Sequence, residues 1–117
     1  MSYEIQTYSE FDRNLKKLAK RYRSIADDYE AFLESLKENP FQGTELCPNI
    51  RKVRMPIASK GRGKSGGARV ITATAIVNQY EGRIVLLTIY DKSDISNVDM
   101  TVIKHIAREL GIGTDKN

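Results

Sequence analysis

The chain has 117 residues, 40% of them hydrophobic and 29% charged, with a formal net charge of +4. That is one domain's length with enough apolar material for a core, which excludes disordered, collagen-like and disulfide-scaffold classes. The longest apolar run, Ile84 to Tyr90, falls far short of the ~18 residues that span a bilayer, and Cys47 is the only cysteine. The first residues have neither the basic nor the apolar region of a signal peptide. The expectation is a single cytoplasmic domain over residues 1–112, a frayed tail at 113–117 and no membrane partner.

Tyr3 to Tyr8 alternates polar and apolar residues and predicts a short strand. Ser9, with Asp12 three residues on, predicts a capped helix whose Phe11, Leu15, Leu18 and Tyr22 share one face. Ser24 and Asp27 repeat the capping pattern ahead of a second helix with Ile25, Tyr29, Phe32, Leu33 and Leu36 buried, and Asn39-Pro40 stops it. So short a link predicts a helical hairpin. The period then changes to two. Ile50–Met55, Ala68–Val77 and Arg83–Tyr90 read as strands, the last two joined as a hairpin through Asn78–Gly82. The apolar third strand of that set predicts burial on both faces. Ser96 and Asp99 suggest a cap for a last helix lined by Val102, Ile103, Ile106 and Leu110 and ended by Gly111. The order is β-α-α-β-β-β-α, an α+β domain with a helical hairpin on a small antiparallel sheet, its first strand at an edge or beside a non-neighbour.

Charge is concentrated in one place. Residues 50–70 hold Arg51, Lys52, Arg54, Lys60, Arg62, Lys64 and Arg69 and no acid, while the flanking stretches are slightly acidic. Seven like charges without an acid between them suit a phosphate-rich partner. Four glycines alternate with Lys60, Arg62 and Lys64 between Ala58 and Ala68, so these cations ride on a backbone able to approach a polyanion closely. Gly61–Ser65 ends in Gly-Lys-Ser, but Ala58 stands where a P-loop needs its first glycine, and a strand follows instead of a helix. Lys52 and Arg54, two apart on a strand, share a sheet face. Arg69 opens the next strand, and Tyr90-Asp91-Lys92 closes the last. His105 falls on the polar side of its helix. One histidine and one cysteine offer no metal constellation and no Cys–His pair, so neither metal nor cofactor is expected and any catalysis falls to Lys, Arg, Tyr or a carboxylate. The acids of the first two helices read as solvated faces.

Ile50–Arg54, Ala58–Ile71 and Leu86–Lys92, in that order, resemble the RelE/ParE superfamily of toxins from bacterial toxin–antitoxin pairs, and most of all its HigB-type branch. The resemblance implies a RelE-like fold and a metal-independent endoribonuclease that cleaves mRNA on the ribosome through attack of the 2′-hydroxyl on the adjacent phosphate. It implies catalytic roles for Arg54, Arg69 and Lys92, an RNA-binding role for Lys52, and a cognate antitoxin from the adjacent gene as partner, beside the ribosome and mRNA. Tyr90 is the candidate to stand in as catalytic tyrosine, and the charge of their own segment gives Lys60, Arg62 and Lys64 RNA-binding roles. It departs from RelE in having no tyrosine after Tyr90 and a longer connection between Arg54 and Arg69. The alternatives are a ParE-like inhibitor of DNA gyrase and a non-catalytic nucleic-acid-binding relative.

Overall fold

A computed structural model describes residues 2–60, 66–94 and 98–112. Arg62, Lys64, Ser96 and the tail 113–117 lie outside them. The elements are β1 (Ser2–Thr7), α1 (Ser9–Arg21), α2 (Ile25–Glu38), β2 (Thr44–Cys47), β3 (Ile50–Met55), a 3-10 turn at Ala58–Lys60, β4 (Ala68–Ile76), β5 (Glu81–Asp91) and α3 (Met100–Glu109). The five strands form one mixed sheet in the order β1-β5-β4-β3-β2. β2 through β5 run antiparallel in sequence, and β1 lies at the edge, parallel to β5.

The expected sheet thus acquires a strand and loses its purely antiparallel character. β2 is four residues long, half exposed and without alternation, so only its pairing with β3 makes it a strand. The central strands are apolar because helices cover both sides of the sheet. Phe11, Leu18, Ile25, Phe32 and Leu36 from α1 and α2 pack on one face with Val53, Met55, Val70, Ile84, Leu86 and Ile89. Ile103, Ile106 and Ala107 of α3 pack on the other with Ile50, Ile71, Ala73, Val85, Leu87 and Tyr90. Each large apolar side chain so buried is worth about 1.5–3 kcal/mol.

A bulge interrupts β4–β5. Ile71 pairs with Thr88 but Thr72 pairs with Leu86, which leaves Leu87 as the extra residue. Ile84 and Leu86 face α1 and α2, so uninterrupted alternation would send Tyr90 the same way. The extra residue reverses the phase: Ile89 joins the α1/α2 core and Tyr90 the α3 core. Bulges re-aim side chains in this manner.

The helix starts differ from expectation. Tyr8 occupies the N-cap position of α1 and Ser24 that of α2, and neither side chain caps the backbone. The Ser24 hydroxyl instead donates to Asp28 Oδ2 at 2.6 Å and accepts from Ser59 N–H at 2.9 Å. Asp99 caps α3 by accepting from Thr101 N–H. Val102, placed by spacing on the buried stripe, is 48% exposed, and Ala107 takes a buried place instead. Among the described residues no helix is long and apolar enough to cross a membrane.

Candidate functional site

Directly opposite residues on neighbouring strands project from the same face. Arg54 pairs with Arg69 across β3–β4, and Arg69 with Tyr90 across β4–β5. Two arginines and a tyrosine therefore form one row over three adjacent strands, about 10 Å wide from the strand spacing. The row lies on the α3 face, at the end of the sheet where β3 and β5 finish. Lys52, two residues before Arg54, sits on the same face.

The members differ in burial. Arg54 is exposed; Arg69 is 8% and Tyr90 7% exposed. The Arg69 guanidinium donates to the carbonyls of Gly66 at 3.0 Å and Ala68 at 3.3 Å. Burial raises the Tyr90 phenol above its ordinary value, and the positive charge of Arg69 works against that rise. Tyr90 is thus protonated at neutral pH and beside a cation. It is reached from two hollows of about 250 Å³ each that share Asn14 and Tyr90. Lys92 is exposed just past β5, and its N–H donates to Gly67 O at 3.1 Å. Among the described residues no carboxylate makes an ion pair with Lys52, Arg54 or Lys92.

Lys60 does not join this row. Its ammonium lies 2.7 Å from Asp91 Oδ1, with the lysine side chain 19% and the aspartate side chain 0% exposed. Asp91 follows Tyr90 and projects from the opposite face, toward α1. There it also accepts from Tyr22 OH at 2.6 Å, Arg21 at 3.1 Å, and the Ser93 hydroxyl and N–H at 2.7 and 2.9 Å. Burial opposes the charge on Asp91, yet hydrogen bonds from Lys60, Tyr22 and Ser93 outweigh it and hold the carboxyl well below the usual carboxylate range. The same Asp91 raises the Tyr22 phenol by accepting its proton in a hydrogen bond. Lys60, expected from its segment to bind RNA, is thus paired within the fold, and a buried charge such as that of Asp91 is retained where it is paired.

Sequence reasoning passed over Asp91, Tyr22 and Arg21. The available signal was a single acid at the end of a seven-residue apolar run, where a charge needs a partner. Asp28 also leaves the solvated class, because it accepts from Ala58 N–H as well as from Ser24. His105 stays on the surface, 3.2 Å from Glu109. Among the described residues no group of three His, Cys, Asp or Glu side chains could hold a metal ion. No family model matches the chain.

Proposed function

We propose that the chain is a RelE-like toxin of a toxin–antitoxin pair, an endoribonuclease that cuts ribosome-bound mRNA without a metal. The observation that carries the reading is the Arg54–Arg69–Tyr90 row: two cations and a protonated phenol on one face, next to a segment rich in positive charge. In this reading the 2′-oxygen bonds to phosphorus and the bond to the 5′-oxygen breaks. The two arginines neutralise the charge that builds on the phosphoryl oxygens, a term that strengthens in the transition state. Tyr90 gives its proton to the departing 5′-oxygen, and the proton of the 2′-hydroxyl passes to solvent. The products are a 2′,3′-cyclic phosphate and a 5′-hydroxyl. Lys92, just past β5, adds to that neutralisation, and Lys52 holds the flanking backbone. A small α+β domain whose helical hairpin follows one edge strand and precedes the other four supports this reading. A cognate antitoxin keeps the cationic row from its target.

Induced expression without the antitoxin is expected to stop translation and to create new 5′ ends inside translated codons, read by primer extension. Equal cutting of untranslated RNA overturns the ribosome dependence. DNA breaks with normal protein synthesis support gyrase inhibition instead.

A further inference from the structure

The connection between β3 and β4 leaves the described residues at Lys60 and returns at Gly66. Both of its ends are bonded to the end of β5. Lys60 Nζ lies 2.7 Å from Asp91 Oδ1, and Gly67 O accepts from Lys92 N–H at 3.1 Å. Two consecutive residues, 91 and 92, thus clip the departing and returning ends of one connection. The departing end carries further ties, since Ser59 N–H donates to Ser24 Oγ and Ala58 N–H to Asp28. At the returning end, Gly67 has φ +76, and an added Cβ would lie 2.9 Å from Met55 O, so only glycine fits the backbone there. Immediately before it, Gly66 O accepts from the Arg69 guanidinium at 3.0 Å. Of the two carbonyls that accept from Arg69, Gly66 O thus belongs to the clipped connection and Ala68 O to the first residue of β4.

We propose that Asp91 is a positioning residue for the Arg54–Arg69–Tyr90 row, holding the ends of this connection to β5 and thereby setting the Arg69 guanidinium. This rests on the nuclease reading of that row. Asp91 faces away from the row and does not touch RNA. Its influence passes through Lys60 at one end, and through the turn of residues 91–93 and Lys92 at the other. Arg21 and Tyr22 at the end of α1, and Ser93 in the turn after β5, fix the carboxylate independently of Lys60, so the clip has a rigid origin. Displacing a catalytic group by about 1 Å from a distance costs on the order of 100-fold in rate. Affinity follows a different rule. Replacing Asp91 by a neutral side chain adds one net positive charge and releases Lys60, so attraction to a polyanion holds or rises.

The test uses the full chain as wild type, Asp91→Asn, Tyr22→Phe and Lys60→Arg. Three quantities are read: single-turnover cleavage on ribosomes programmed with mRNA, affinity for an uncleavable 2′-O-methyl oligonucleotide, and amide hydrogen exchange at Ser59, Lys60 and Ser93. Asp91→Asn is expected to lose about 100-fold in turnover per folded molecule, to keep or gain affinity, and to exchange faster at those amides. Tyr22→Phe, which keeps both ion pairs and serves if Asp91→Asn does not fold, is expected to lose about tenfold. Lys60→Arg, which keeps the charge, stays close to wild type. Folded Asp91→Asn that cleaves at the wild-type rate overturns the positioning role alone. So does a parallel fall of affinity and turnover with unchanged exchange. Wild type that leaves ribosome-bound mRNA intact overturns the nuclease reading, and the positioning role with it.

Discussion

Tyr90 and Asp91 are neighbours on β5 and serve opposite kinds of electrostatics. On the Tyr90 side, Lys52 and Arg54 stand with no carboxylate in ion-pair reach among the described residues, and Arg69 turns to backbone carbonyls. On the Asp91 side, Lys60 and Arg21 converge on one buried carboxylate, and Asp94 beside Arg21 completes their neutralisation. A strand separates two pools of positive charge, one available to an external anion and one consumed in holding the fold. Charge counted along the sequence merges the two. What distinguishes them is the face from which each side chain projects.

If that division is right, substitutions on the two sides fail in different ways. The largest expected effect on stability is Asp91→Ala, which strands the cations it pairs and costs about 3–5 kcal/mol, as breaking a buried pair does; urea unfolding at neutral pH measures it. Arg69→Ala comes next and acts on rate. Losing a charge-stabilising donor costs about 2.7–4 kcal/mol of barrier, roughly 100–1000-fold in turnover, read on programmed ribosomes alongside thermal unfolding. Acid sharpens the comparison. Asp91 titrates below its unfolded value of about 3.9, so its contribution is present at neutral pH and is lost as pH falls from there through the folded pKa. The stability gap between wild type and Asp91→Asn should stay constant down to about pH 4, then narrow by about 1.4 kcal/mol per pH unit. Urea midpoints over that range report it, and a gap that ignores pH contradicts the pairing. The smallest effect falls on Lys52→Ala. It should leave unfolding unchanged and reduce the salt slope of oligonucleotide binding by about one.

Much of the frame was legible because two periods carry it. The 3.6-residue spacing from Phe11 to Leu18 and from Ile25 to Leu36 found the buried faces of α1 and α2, and Ile50–Met55 was found to the residue. β2 and the parallel pairing of β1 were not legible. A four-residue edge strand has no period, and nothing in Ser2–Thr7 points to partners some eighty residues away. Among the site residues, Lys52 and Arg54 were read correctly onto one face, because alternation is local. The pairing of Lys60 was not legible since its partner Asp91 is distant in sequence, and a lysine beside a glycine-rich stretch looks the same whether paired or not. The bulge at Leu87 is the hardest of all: alternation from Ile84 assigns Tyr90 to the wrong face, and one extra residue is what puts it opposite Arg69.

The most direct test of the account compares purified wild type with Arg54→Ala and Arg69→Ala on ribosomes programmed with a defined mRNA, sampling single turnovers and mapping the cut ends. The account predicts wild-type cleavage that leaves a 2′,3′-cyclic phosphate, and loss of turnover in both variants while each remains folded. Wild type that leaves the mRNA whole, or variants that cut it at the wild-type rate, would contradict it.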